Sequence, residues 1–198
     1  MSGFLSSGAF GAVAVLGAAG AIMLLSRAWR WRVVGLALQY VGVFWLVALS
    51  WPVGLASIKL VVGWMAGAIL GVSGINLISP TGRRWPTEWL FLGLVLLLVV
   101  LSVSALVPEV IAWLPGGQTA QVWGGLLLIG MGLVHLGVAS RGLRVIISLL
   151  TTLSGFEILY AVVESSTLVA GLLAVVTLGI ALTGAYLLAI NPEEVLDQ

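Results

Sequence analysis

Few side chains in this sequence can hold or pass a proton outside its termini and loops. Glu157 interrupts an apolar run of 22 residues, GLRVIISLLTTLSGFEILYAVV, and Lys59 lies inside another, VGLASIKLVVGWMAG. Gln39 and His135 are the other markedly polar groups well within apolar stretches. A carboxylate at hydrocarbon depth costs roughly 2.5 to 3.5 kcal/mol on insertion scales, so such groups normally face protein or a wet cavity and mark ion pathways. Ser154, Tyr160 and Glu164 stand at i−3, i+3 and i+7 from Glu157, which places them on its face of a helix. Ser154 and Tyr160 can hydrogen-bond the acid or bond locally, and Glu164 falls at the end of the run, where a solvated carboxylate is unremarkable. His135 titrates near physiological pH when unperturbed and can carry protons. Its other reading is a ring bonded to a backbone carbonyl.

The elements that must position these residues are all membrane helices. Of 198 residues, 61% are hydrophobic and 8% charged, where soluble domains average about 25% charged. The composition defines an all-α, polytopic integral membrane protein whose first partner is the lipid bilayer. Apolar runs of spanning length cover 4–25, 33–50, 53–76, 89–107, 120–139, 143–163 and 167–190, giving seven expected transmembrane helices. Pro and Gly punctuate the connections at Trp51-Pro52, Pro80-Thr81-Gly82 and Pro115-Gly116-Gly117. The segment 108–115, PEVIAWLP, reads as a short interfacial helix. Most tryptophans (Trp29, Trp31, Trp51, Trp85, Trp89, Trp113) sit where the runs end, as interfacial anchors do, whereas Trp45 and Trp64 lie deeper.

Arg27, Arg30 and Arg32, then Arg83 and Arg84, then Arg141 and Arg144 fall in or beside alternate connections, and the other three connections carry no Lys or Arg. The positive-inside rule puts that side in the cytoplasm. The expected topology has the N-terminus outside and the tail NPEEVLDQ in the cytoplasm, in a cytoplasmic (inner) membrane. The first helix lacks the basic n-region of a cleaved signal peptide and is expected to remain. Lys59 enters its run from the outside and Glu157 approaches the same surface from within, each roughly 9 Å short of it. Equal depth predicts that the two are neighbours, directly or through water, since pairing offsets part of the desolvation of each charge. The other reading has Lys59 snorkelling its ammonium to the outer interface. Gly63, Gly67 and Gly71 continue the Lys59 face at four-residue intervals, a small-residue stripe that lets another helix approach. Gln39 and His135 lie nearer the cytoplasmic side and form an expected inner polar pair.

Several chemistries are excluded. With no cysteine there is no disulfide, iron–sulfur cluster or thiolate zinc site in the chain, and one histidine cannot supply a multi-histidine metal or bis-imidazole haem site. No cofactor is expected. No nucleotide-binding loop or nucleophile constellation occurs, and the basic residues are distributed as topology signals and not as a nucleic-acid footprint. The last apolar run has no lysine for a retinal Schiff base.

Residues 121–190 resemble the three-helix K-type subunit of respiratory complex I and the C subunit of Mrp-type cation/proton antiporters. One helix ends in Gly137-Val138-Ala139-Ser140-Arg141, a short basic loop follows, and the next helix carries the acid in Gly155-Phe156-Glu157-Ile158-Leu159. A third apolar helix closes the unit. By overall length and helix number the chain is similar to the E-type membrane subunit of group 4 hydrogenases, and Trp51 to Gly71 loosely resembles a helix of the complex I J-type subunit. The resemblance implies a four-helix N-terminal part (1–119) and a K-type-like unit with a short tail (120–198). It further implies an accessory, non-catalytic subunit of an ion-translocating assembly with antiporter-type partners, in which Glu157 joins the polar axis. The family's third helix commonly bears a second glutamate, whereas Thr177 to Gly184 here, TLGIALTG, has none. A structural subunit whose charges only lock helices together, or a small stand-alone transporter, are the alternative readings.

Overall fold

A computed structural model describes residues 8–26, 28–74, 86–114, 116–139 and 142–190. They form seven α-helices: α1 (Ala9–Leu25), α2 (Trp29–Val47), α3 (Val53–Ser73), α4 (Pro86–Trp113), α5 (Thr119–Gly137), α6 (Gly142–Val163) and α7 (Thr167–Ile190). Five of them, α3 to α7, are long and apolar enough to cross a membrane. Large apolar side chains cover their outward faces, as on α4 (Leu90, Leu94, Leu98, Leu101) and α7 (Leu168, Leu172, Val175). In water such faces would be untenable, and in lipid they need no partner. Arg27, Arg83, Arg84, Arg141, Trp85, the Pro80-Thr81-Gly82 turn, Pro115, residues 4–7 of the first expected span, residues 75–76 of the third and the tail lie outside the described residues.

Six helices stack as two layers of three. α1, α2 and α3 lie side by side, α5, α6 and α7 do likewise, and each helix of the first layer faces one of the second: α1 on α5, α2 on α6, α3 on α7. α4 lies outside this stack, chiefly against α5. Neighbours within a layer are antiparallel. Gly35 meets Met23 while Gly42 meets Leu16, and Gly63 meets Tyr40 while Gly71 meets Val33. Facing helices are parallel where their contacts fix the direction: Leu16 reaches Gly124, and Gly20 meets Met131. The starts of α2 and α6 consequently share one end of the bundle, with Arg30, Arg32 and Arg144. One hydrophobic core, including Leu16, Leu36, Leu46, Leu70, Leu128, Leu150 and Ala181, runs through both layers without a break.

Small residues set the closest approach. A Cβ on Gly155 would stand 2.6 Å from the Gly125 carbonyl oxygen, and one on Gly125 3.1 Å from the Gly155 oxygen, so the α5 and α6 backbones touch. Only glycine permits this at both positions.

Two sequence expectations are corrected. Residues 108–113 are not a separate interfacial helix but the last turns of α4, which continues through Pro108. Val99, Val103 and Val107 form a buried row at four-residue spacing, and Val110 and Ile111 extend the packed cluster beyond the proline. That continuous contact outweighs the loss of one backbone donor, and proline is tolerated in membrane helices. The second helix starts at Trp29, earlier than the apolar run, so Arg30 and Arg32 lie within α2 and not in a loop. Arg32 folds back to donate from Nε to the Ser26 carbonyl at 3.0 Å, and the Arg30 guanidinium lies 5.7 Å from the centre of the Trp29 ring.

Candidate functional site

The two charges within the apolar runs meet. Lys59 Nζ donates to Glu157 Oε1 at 2.7 Å, with 2% and 1% of the two side chains exposed. Lys59 comes from the second turn of α3 and Glu157 from the last third of α6, elements on different layers that never adjoin in sequence. Snorkelling is thus not what Lys59 does: its ammonium turns inward, to an anion, instead of outward to an interface.

Three polar side chains complete the surroundings. Thr177 of α7 approaches the Glu157 carboxylate within hydrogen-bonding reach, and its hydroxyl also lies 2.8 Å from the Leu173 carbonyl. Tyr40 of α2, buried whole, lies near enough to Glu157 to feel its charge and is hydrogen-bonded with Ser154. Ser154 Oγ also gives a proton to the Leu150 carbonyl at 2.8 Å. The ring of Tyr40 packs on Gly63, where any Cβ would fall inside it. The site is thereby built from α2, α3, α6 and α7, the four helices of the stack away from α4.

Of the small-residue stripe, Gly63 accommodates the tyrosine. Gly67 is buried beside open space, with no atom within 4 Å of where its Cβ would stand, and Gly71 makes ordinary contact with Val33 at 3.5 Å. The stripe, expected to let another helix approach, thus admits an aromatic ring at one point and leaves a gap at the next.

The remaining sequence candidates fall elsewhere. Tyr160 is half-buried and packs its ring 5.9 Å from that of Phe156, which faces outward. Glu164 is exposed, and its backbone carbonyl accepts from Trp51 Nε1 at 2.8 Å, tying the α2–α3 turn to the α6–α7 turn. Gln39 and His135 have different surroundings. Gln39 lies against Thr151, whose Oγ1 is 3.2 Å from Gln39 Oε1, and its amide nitrogen has no partner among the described residues. His135 is buried, its Nδ1 has no partner among the described residues, and it lines a cavity of about 250 Å³ with Met23, Leu24, Glu88, Phe91, Val138 and Arg144.

Sequence reading missed Tyr40, Thr177, Ser148 and Thr151. It also missed Gln121, which is fully buried at the far end of α5 and donates from Nε2 to the Leu46 carbonyl at 2.9 Å and to Ser50 Oγ at 2.7 Å. One signal was available for the hydroxyls. Ser148, Thr151, Ser154 and Glu157 recur at three-residue spacing on α6. Among the described residues no group of three or more His, Asp or Glu side chains is placed to hold a metal.

The arrangement can hold one positive and one negative charge in a buried interior and hydrogen-bond the groups around them. Its chemistry is confined to moving a proton or responding to a charge. No protein-family model, curated protein or solved structure matches the chain.

Proposed function

We propose that the protein is an accessory membrane subunit of a proton- or cation-translocating assembly, of complex I-like, hydrogenase-like or antiporter-like type, in which Glu157 supplies one protonatable step. The observation that carries this reading is the Lys59–Glu157 ion pair closed inside the bundle. Such a pair is weak as a stabilising device, because the desolvation of two charges offsets most of their attraction, and an apolar replacement of similar volume is often no worse. Charges kept at that depth are more readily understood as functional. A proton added to Glu157 removes the partner of Lys59, so any external charge or strain that separates the two helices biases proton uptake, and their approach biases release. In this reading all seven helices span, with the N-terminus outside and the arginine-bearing end in the cytoplasm, as the positive-inside rule requires. Redox or substrate chemistry resides in partner chains of antiporter type.

The test is ion translocation by the assembly purified with this subunit from native membranes. Glu157→Gln is expected to assemble and to lose ion transfer. Full transfer by an assembled Glu157→Gln variant would refute the reading. A purely structural subunit is the second reading, favoured by the direct 2.7 Å contact with no intervening group.

A further inference from the structure

Ser148, Thr151, Ser154 and Glu157 are all buried on α6 at i, i+3, i+6 and i+9, a row that winds half-way round the helix, so that Glu157 stands on the opposite side from Ser148. Each step rises about 4.5 Å, so the stripe runs about 13 Å from the arginine-bearing end of the helix to the ion pair. Each hydroxyl gives its proton to the carbonyl one turn back: Ser148 to Arg144 at 2.7 Å, Thr151 to Ile147 at 2.8 Å and Ser154 to Leu150 at 2.8 Å. Their lone pairs remain able to accept.

Two buried polar atoms have no partner among the described residues, Gln39 Nε2 beside Thr151 and His135 Nδ1 at the depth of the row's start. Gln39 is fully buried, and Thr151 has a single proton, already within 2.8 Å of Ile147 O. Turning the Gln39 amide over only exchanges which of its two atoms stands unmatched. Either atom calls for a small polar partner. His135 is placed by the α5–α6 register. Gly132 meets Thr152 and Ile129 meets Gly155, which sets His135 level with Leu149, at the Ser148 end. Its Nδ1 has no partner among the described residues, and the cavity it lines with Arg144 and Glu88 is a partly open one at this end of α6.

We propose that water enters by this cavity and threads the α6 stripe past Gln39, forming a proton route from the arginine-bearing end to Glu157. A proton taken from the bulk at the cavity moves along waters and hydroxyls, each accepting one proton and passing on another. The transfer ends with a neutral Glu157 carboxyl and a Lys59 ammonium without its counter-charge, and nothing is oxidised or reduced. Tyr40, hydrogen-bonded to Ser154 and packed on Gly63, is the last group before the acid. The route rests on Glu157 acting in ion transfer.

The absence of native cysteine makes the route directly testable in the full chain. Single variants Ser148→Cys, Thr151→Cys, Val138→Cys and Phe156→Cys are reconstituted in vesicles and exposed to silver ion from the arginine-bearing side. The thiols left unreacted are then counted with a maleimide after denaturation. Val138 is an exposed residue of the cavity, and Phe156 faces outward at the depth of Glu157. The expected result is loss of maleimide labelling at 138, 148 and 151 and full labelling at 156. Retained labelling at 148 and 151 with loss at 138 overturns the route, as does equal loss at 148, 151 and 156. Silver access is read without transport, so full ion transfer by Glu157→Gln would remove the function while leaving this result standing, and a silver-inaccessible row would remove the route while leaving the function.

Discussion

Tyr40 lays its ring across Gly63, one helical turn along α3 from Lys59. A methyl at Gly63 would fall inside the ring, whereas Gly67, the next residue of the same stripe, borders open space. The two glycines therefore respond in opposite ways to the same change. Gly63→Ala forces Tyr40 to move and is expected to cost about 1 to 3 kcal/mol by overpacking. Gly67→Ala is expected to be neutral or stabilising by up to about 1 kcal/mol, from better helix propensity. Thermal unfolding in detergent, comparing both with the native chain, checks the contrast. Equal losses would contradict this packing.

The ion pair predicts strong non-additivity. Lys59→Met leaves the Glu157 carboxylate buried without a cation, and Glu157→Gln leaves the ammonium without an anion. Each single change is expected to cost about 3 to 5 kcal/mol, less whatever is recovered by a change of protonation, and the double variant substantially less than the sum. A double-mutant cycle on unfolding or on yield of folded protein measures the coupling. A coupling near zero would mean that the two charges do not meet in the membrane.

A separate polar fastening holds the end nearest this pair. Gln121 bridges α5 to Leu46 and Ser50 at the end of α2, and its Oε1 accepts from the Gln118 backbone N–H at 3.1 Å. Gln121→Leu removes all three bonds, although the Leu46 carbonyl still accepts from the Leu49 backbone N–H at 3.3 Å. A loss of about 1 to 3 kcal/mol is expected, with no effect on ion transfer once the protein has folded. Unfolding and transport measured on the same preparation separate the two effects.

How far the sequence revealed this arrangement depends on what each inference required. Depth is a one-dimensional property. Counting residues from helix ends placed Lys59 and Glu157 level with each other, and the 2.7 Å contact follows from that level once α3 and α6 are brought into one stack. Lateral position is not one-dimensional. Nothing in the apolar runs states that α3 faces α7 and α2 faces α6, so Tyr40 and Thr177 could not be assigned to the acid. Hydroxyls in helices also bond their own backbone, which makes Thr151 and Ser148 look inert in a sequence. Tyr160 shows the converse failure. Its i+3 spacing put it on Glu157's face, but its position four residues from the outward-facing Phe156 pulls its ring to that neighbour. Pro108 read as a boundary because proline usually ends helices, and the valine row that carries α4 past it matters only when α5 is present.

The phenol of Tyr40 separates structural from ionic roles in a way Gly63 cannot. Tyr40→Phe keeps the ring on Gly63 and deletes only the hydroxyl shared with Ser154. Ser154 still donates to Leu150, so no buried donor is orphaned and the stability change should stay within about 1 kcal/mol. If Tyr40 is the last proton-bearing group before Glu157, this small change should still depress ion transfer. Tyr40→Leu, which also empties the space over Gly63, should depress both transfer and stability. Transfer rates for the two variants, normalised to assembled protein, decide the matter. Undiminished transfer by Tyr40→Phe would leave the tyrosine as packing for Gly63 and require the proton to reach Glu157 from Ser154 by water alone.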